Sequence, residues 1–124
     1  MLIMGISRVR PLSEPEYQIV RTVLREFKSE LAKLYGESVP DVLVYGSYAR
    51  GEPNSESDID ILLLFPKEIR PGEEIRRVNW ILADLNLRFQ VLISVLPASE
   101  NELKSSSTPF WENVRHESVP IESI

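Results

Sequence analysis

The sequence contains no cysteine, so disulfide bonds and thiolate metal sites are excluded, and a reducing cytoplasmic setting is compatible with the chain. Its single histidine, His116, lies between charged neighbours and is expected to be an exposed helix-end residue rather than a metal ligand. No apolar run approaches the roughly eighteen residues of a membrane-spanning helix, so no membrane association is expected. The apolar start from Met1 to Ile6 lacks a leading charged region and does not predict a signal peptide.

Basic residues are fewer than acidic ones, 14 against 19, and the net charge of −5 argues against generic nucleic-acid binding. The length of 124 residues fits one domain and suffices for a hydrophobic core without a disulfide or structural metal. Neither an internal repeat nor a low-complexity segment divides the chain. Residues 1–124 are therefore predicted to form a single domain, with a core at 13–96 and a helical tail at 97–124.

A long first helix is predicted to begin after Ser13. Ser13 can cap this helix, Glu16 lies three residues later as in a capping box, and Pro15 is tolerated in the first turn. Gly36 is the expected end. Apolar residues recur between these limits at spacings of three and four, which is typical of an amphipathic helix. They are Tyr17, Val20, Leu24, Phe27, Leu31 and Leu34.

Strands and helices are predicted to follow this helix in the order strand, strand, helix, strand, helix, helix, which indicates an α/β or α+β fold with a small mixed sheet flanked by helices. The strands are predicted at Asp41 to Tyr45, Asp58 to Phe65 and Phe89 to Leu96, the helices from Pro71, Ser99 and Pro109, and an extended tail at Val119 to Ile121. The buried face of the second helix is expected to comprise Ile75, Val78, Ile81, Leu82 and Leu85.

The most informative motif is a Gly46-Ser47 pair followed, after a ten-residue spacer, by Asp58-Ile59-Asp60. Residues two apart in a strand share a face, so Asp58 and Asp60 should project together while Ile59 faces the core. Two adjacent carboxylates repel, and a divalent cation such as Mg²⁺ would resolve that conflict. Gly46 allows close approach of the backbone to a phosphate, and Ser47 adds a hydroxyl and an N–H.

Either half of this motif would be weak evidence alone, because an isolated Asp-x-Asp is more often a solvated turn than a metal site. Here both halves occur at a fixed separation and each adjoins a predicted strand. The combination favours a site for phosphate and metal.

These residues resemble the nucleotidyltransferase superfamily that includes DNA polymerase β, specifically its minimal nucleotidyltransferases. The family signature is Gly-Ser-x-Ala-Arg-Gly, then Asp-x-Asp. The chain carries Gly46-Ser47-Tyr48-Ala49-Arg50-Gly51 and Asp58-Ile59-Asp60. The resemblance covers residues 13–96 well and the tail more loosely, and it implies a fold like the palm of polymerase β.

The resemblance also implies a function, which is the transfer of a nucleoside monophosphate from an NTP, with ATP the first expectation, to a protein or nucleic-acid hydroxyl in the cytoplasm. Gly46, Ser47 and Arg50 would bind the nucleotide, and Asp58 and Asp60 would be catalytic residues that hold two Mg²⁺ ions. Many small members are antitoxins to a HEPN-domain protein, so such a partner is expected. A homodimer is left open.

One feature departs from the family pattern. The third family carboxylate lies on the strand after the second helix, and this strand contains no acid. Gln90 and Ser94 are the positions expected to align with it, and neither can act as a carboxylate. The site could therefore be reduced to one metal. The alternative function is a catalytically weak or inactive binding module with the same fold, serving as a partner subunit.

Other interpretations stay open. An Asp-x-Asp glycosyltransferase is disfavoured, because the chain is short and the upstream Gly-Ser would be unexplained.

Arg50 could contact phosphate or brace the loop against Glu52 or Asp58. Tyr48 could stack on a ligand or pack over the loop, and packing is favoured. Trp80 is expected in the core or at its rim. Adjacent Phe110 and Trp111 cannot share a helix face, so one is expected to be buried and the other exposed.

Overall fold

A computed structural model describes residues 9–124, so the expectation for Met1 to Ile6 lies outside the described residues. The elements are α1 (Glu14–Tyr35), β1 (Asp41–Tyr45), β2 (Ile59–Phe65), α2 (Pro71–Phe89), β3 (Ile93–Ser99), α3 (Glu100–Ser105), α4 (Pro109–Glu117) and β4 (Val119–Pro120). Short 3₁₀ turns occupy Gly36–Ser38 and Ile121–Ser123. Within residues 9–124, none of the helices combines the length and the apolar character needed to cross a membrane.

Helix α1 begins and ends where its capping residues predict. The Ser13 hydroxyl accepts a hydrogen bond from the Glu16 backbone N–H, and the Glu16 carboxylate accepts one from the Ser13 N–H, which completes the capping box. Gly36 ends the helix with a positive φ of 59°. The buried face consists of Val20, Val23, Leu24, Phe27 and Leu31. Leu34, expected on this face, is exposed.

The four strands form one mixed sheet in the order β3-β2-β1-β4. Strand β1 is antiparallel to both β2 and β4, whereas β2 and β3 are parallel. Each edge strand contains a proline, Pro97 in β3 and Pro120 in β4. The mixed α+β fold with a small sheet and flanking helices is the one that the element order predicts.

Strand β2 lies in the middle of the core and is buried at every position except Asp60. Ile59, Ile61, Leu63 and Phe65 belong to the core cluster that includes the buried faces of α1 and α2. Leu62 and Leu64 pack on the other face of the sheet, with Trp111 and Val114 of α4. Since residues two apart share a face, Asp60 lies on the α4 side of the sheet.

The third strand begins four residues later than predicted, at Ile93 instead of Phe89. The sequence predicts a strand over the apolar run from Phe89 to Leu96. However, Phe89 continues the apolar face of α2 one turn beyond Leu85, and the helix extends to it. Gln90 then adopts a left-handed conformation with φ 56°, and its N–H donates to the Asn86 carbonyl at 2.8 Å.

The prediction for the buried face of α2 is partly wrong. Ile75 is 41% exposed, and its neighbour Glu74 is buried instead. The Glu74 carboxylate accepts a hydrogen bond from the Tyr35 hydroxyl at 2.8 Å, which provides the partner that a buried charge requires. Trp80, expected in the core or at its rim, is 55% exposed. The expectation for α4 is confirmed, because Trp111 is buried and Phe110 is exposed.

The capping box also fixes the loop that carries the motif. Arg10 donates two hydrogen bonds to the Glu16 carboxylate, at 2.6 and 3.1 Å. Its backbone carbonyl accepts a hydrogen bond from the N–H of Ser55 at 2.8 Å, and Pro11 forms an isolated β-bridge with Asn54. The spacer between the two halves of the motif is therefore tied to the beginning of α1.

Glu16→Gln tests this connection through its pH dependence. The hydrogen bond from Arg10, followed by those from Ser13, lowers the pKa of Glu16 from 4.5 to about 2. Because the folded-state pKa is depressed, the charge of Glu16 stabilises the fold above pH 4.5, and this contribution is lost as the pH falls toward about 2. The variant should unfold at lower urea concentration than wild type near neutral pH.

The difference between Glu16→Gln and wild type should shrink as urea titrations are repeated at decreasing pH within that window. Glu37→Gln removes an exposed carboxylate outside this network and is the matched control. A difference that stayed constant down to the lowest pH would contradict the assignment.

Candidate functional site

The chain turns sharply at Gly46, directly after β1. Gly46 has φ +76°, a left-handed conformation that residues with a side chain rarely adopt. Its carbonyl accepts a hydrogen bond from the Arg50 N–H at 3.1 Å, and the Ser47 carbonyl accepts one from the Glu52 N–H at 2.9 Å. The residues after Gly46 thus form a compact turn. Tyr48 of this turn is buried in the core cluster, so it packs as favoured, but against the core rather than only over the loop.

Gly46 and Asp60 are in direct contact. The two residues are brought together by the antiparallel register, in which Tyr45 lies opposite Asp60. A Cβ atom added to Gly46 would lie 2.3 Å from Asp60 Oδ2, a separation that real Cβ atoms do not show. The Asp60 carboxylate therefore rests against the α-carbon of Gly46.

Asp60 is partly buried and surrounded by charges of both signs. Desolvation by burial is the largest cause that raises the pKa of Asp60, and the negative charges of Asp58 and Glu117 raise it further. The guanidinium of Arg50 acts in the opposite direction. The positive charge of Arg50 compensates ionised Asp60 only in part, because the pKa is raised on balance, and a bound cation would add the missing compensation.

Asp58 lies one residue before β2, and it is exposed. A turn stabilised by the Asn54 side chain precedes it, because Asn54 Oδ1 accepts a hydrogen bond from the Glu56 N–H at 2.8 Å. The Ile59 N–H donates to the Leu92 carbonyl at 2.9 Å, which fixes the backbone on the other side. Asp58 also lines a cleft of about 480 Å³, whereas Gly46, Ser47 and Asp60 do not line it.

A third carboxylate, which sequence reasoning missed, joins this group from the end of α4. Glu117 Oε1 accepts a hydrogen bond from the Gly46 N–H at 3.0 Å. Its Oε2 accepts one from Arg50 Nη1, also at 3.0 Å. Arg50 was expected to contact phosphate or brace the loop against Glu52 or Asp58, and in the structure its partner is Glu117. No local pattern indicates this contact, since 71 residues separate Gly46 from Glu117.

The two positions expected to align with the absent third family carboxylate differ in their placement. Ser94 is paired with Asp60 in the parallel register of β2 and β3, and it is exposed. Gln90 precedes β3 and forms the left-handed end of α2, so it does not lie on a strand face with Ser94. Of these two positions, Ser94 is the one beside Asp60.

The carboxylates of this site can be compared with the ligands that a divalent cation requires. Across residues 9–124, no group of three or more acidic or histidine side chains is arranged to hold a metal ion. Asp58 and Asp60 repel one another, and Mg²⁺ commonly uses one or two carboxylates together with water and substrate phosphates. The pair fits Mg²⁺ that arrives with a phosphate ligand better than a cage made of protein ligands alone.

The chain is similar to a known protein family and to proteins of two organisms. A family model described as "Nucleotidyltransferase domain" matches residues 24–116. The Methanocaldococcus jannaschii protein MJ0141, whose name carries a provisional assignment as a protein adenylyltransferase, is 29% identical over 99 residues, which are 80% of this chain and 95% of that protein. The protein adenylyltransferase MntA of Thermococcus cleftensis is 41% identical over 74 residues, 60% of this chain and 73% of MntA.

A solved structure resembles this chain in its fold. The crystal structure of a toxin–antitoxin with AMP-PNP superimposes with a TM-score of 0.52 at 18% identity, covering 77% of this chain and 70% of that one. At this identity the likeness supports a common fold.

Gly46→Ala tests the contact with Asp60, and Gly51→Ala is its matched control. Gly51 has nearly the same φ, +75°, but a Cβ there would meet nothing within 4 Å. Gly51→Ala should lower the free energy of unfolding by about 1–2 kcal/mol through backbone strain. Gly46→Ala should cost roughly 1–3 kcal/mol more, because its Cβ collides with the carboxylate.

Urea titration of the single variants and of Gly46→Ala in an Asp60→Ala background measures the coupling. Truncation of Asp60 leaves its Cβ at 3.4 Å as the nearest of the three contacting atoms, so the extra cost should vanish. Equal costs for Gly46→Ala in both backgrounds would mean that the two residues do not touch.

Proposed function

The chain belongs to the nucleotidyltransferase domain family, and on this premise we propose that it transfers adenylate from ATP to a hydroxyl group of a partner protein. The observation that carries the proposal is the contact between the turn at Gly46 and the carboxylate of Asp60. This contact brings a backbone suited to phosphate next to Asp60, an acid suited to the accompanying metal.

The relatives favour ATP as the donor and a protein as the acceptor. Two of them carry the name protein adenylyltransferase, and the toxin–antitoxin neighbour was solved with AMP-PNP, an ATP analogue. We propose accordingly that this chain is an antitoxin and that its acceptor is a cognate toxin. The family resemblance further suggests a HEPN-domain protein as that toxin.

In the proposed reaction, the oxygen of the acceptor hydroxyl attacks the α-phosphorus of ATP. The bond from this phosphorus to the oxygen that bridges to the β-phosphate breaks, and pyrophosphate leaves. The backbone N–H groups of Gly46 and Ser47 and the guanidinium of Arg50 would bind the phosphates. Asp58 and Asp60 would hold Mg²⁺, which when bound neutralises phosphate charge and orients the reacting oxygens. The hydroxyl proton is released to solvent.

One observation favours the alternative of a weakly catalytic or inactive binding module. Ser94 occupies the register position beside Asp60, and it is one of the two positions that we expect to align with the third family carboxylate. A hydroxyl at this position neither binds a cation as a carboxylate does nor accepts the acceptor's proton at neutral pH. A site without the third carboxylate can bind nucleotide and still have low transferase activity.

Asp60→Asn tests the proposed transfer. With the purified chain, its co-expressed partner toxin, Mg²⁺ and ATP labelled in the α-phosphate, the variant should label the toxin roughly 10²–10⁴-fold more slowly. Its folded state should be as stable as wild type or more so, because the buried, repelled charge of Asp60 is removed.

Asp41→Asn is the matched control for this assay. Asp41 is an exposed acid at the opposite end of β1, where it pairs with Leu64. It should label the toxin at the wild-type rate. Labelling that persists in Asp60→Asn would mean that another site transfers the nucleotide.

Ser94→Asp distinguishes an impaired enzyme from one that is complete without a third acid. If the missing carboxylate limits catalysis, this variant should increase labelling by about 10²-fold. Gln90→Asp introduces the same group at the other candidate position, outside the strand, and should not increase labelling. Equal rates for wild type and Ser94→Asp in the presence of the toxin would indicate that this position does not limit the reaction.

A further inference from the structure

The carboxylate of Glu117 accepts hydrogen bonds from two groups that the proposed function assigns to phosphate. One of its oxygens accepts from the Gly46 N–H and the other from Arg50, both at 3.0 Å. A carboxylate that bridges a backbone N–H and a guanidinium makes the contacts by which proteins bind phosphate. The position of Glu117 is therefore that of a competitor for the nucleotide.

We propose that Glu117 controls nucleotide affinity by competing with the phosphates for Gly46 and Arg50. Nucleotide then binds only to molecules in which the Glu117 side chain has turned away, and the apparent affinity is the intrinsic affinity multiplied by the fraction of such molecules. This inference rests on the proposed function, because that function assigns the turn and the arginine to phosphate.

The fold fixes the backbone of Glu117 on both sides. Glu117 is the last residue of α4, a helix held to the sheet by the buried side chains of Trp111 and Val114. Two residues later, Val119 pairs with Val44 of β1. Because its backbone is held on both sides, Glu117 keeps its carboxylate near the turn. Rotation about the side-chain bonds of Glu117 is therefore sufficient to release Gly46 and Arg50.

The contact is also accessible to a ligand in solution. The Arg50 side chain is 49% exposed and that of Glu117 is 21% exposed. A triphosphate carries several negative charges, whereas the glutamate carries one, so it can replace Glu117 at the arginine and at the backbone N–H. Displacement separates Glu117 from its two donors and leaves a free carboxylate near Asp60, which is the cost that weakens nucleotide binding.

The experiment uses the full chain and measures binding of tripolyphosphate and of ATP, each with Mg²⁺, by calorimetry. Glu117→Gln retains the size of the side chain and removes its charge, and Glu117→Ala removes both contacts. Glu112→Gln is the matched control, since Glu112 is an exposed acid on the same helix and the change in net charge is identical. Circular dichroism verifies that each variant is folded.

Both Glu117 variants should bind tripolyphosphate about tenfold more tightly than wild type, a difference of about 1.4 kcal/mol, and ATP likewise. Glu112→Gln should bind as wild type does. Equal or weaker binding by the Glu117 variants would overturn the inference, and weaker binding of ATP in particular would instead assign Glu117 to the metal site. The absence of binding by every variant would overturn it as well.

Failure of the proposed function gives a different result. Tighter binding of tripolyphosphate by the Glu117 variants, without adenylate transfer to the toxin, would support the competition and contradict the enzymatic proposal. Transfer that depends on Asp60, with unchanged affinities in the Glu117 variants, would support the enzyme and contradict the competition.

Discussion

The contact between the α-carbon of Gly46 and the carboxylate of Asp60 constrains the whole site. It arises from the antiparallel register of β1 and β2, because Tyr45 lies opposite Asp60 and the chain turns at the next residue. The turn needs a positive φ, and the carboxylate leaves no room for a side chain. Glycine satisfies both conditions, so a local backbone requirement and a tertiary contact select the same residue.

The hydrophobic core determines where this carboxylate lies. Strand β2 is buried on both faces, and Asp60 is its one position that is not. A shift of the register by one residue would move Asp60 toward the core of α1 and α2 and remove Ile59 and Ile61 from it. The energy of burying the isoleucines thus positions a charged group that would itself prefer water, and burial raises the pKa of that group.

The sequence predicts those features whose causes are local. The capping box at Ser13, the end of α1 at Gly36 and the strand Asp41–Tyr45 depend on a few adjacent residues, and all three are confirmed. The predicted start of β3 is too early, because Phe89 fits an apolar strand but also continues the buried face of α2, and it belongs to the helix.

The long-range contacts of the site could not be predicted from the sequence. The Glu117 carboxylate approaches Gly46 only because α4 packs on the sheet and β4 pairs with β1, and neither arrangement has a sequence pattern near residue 117. The structure places Gly46 beside Asp60. The roles of Asp58 and Asp60 as metal ligands remain predictions.

The prolines in the two outer strands limit how this protein can assemble with others. Proline has no backbone N–H to donate, so β3 with Pro97 and β4 with Pro120 are both poor templates for strand addition. Recruitment of a partner by extension of the sheet is consequently disfavoured at either side. A stable complex would have to be built from side chains on the helices and loops, where shape and charge, rather than the repetitive backbone, determine which protein is recognised.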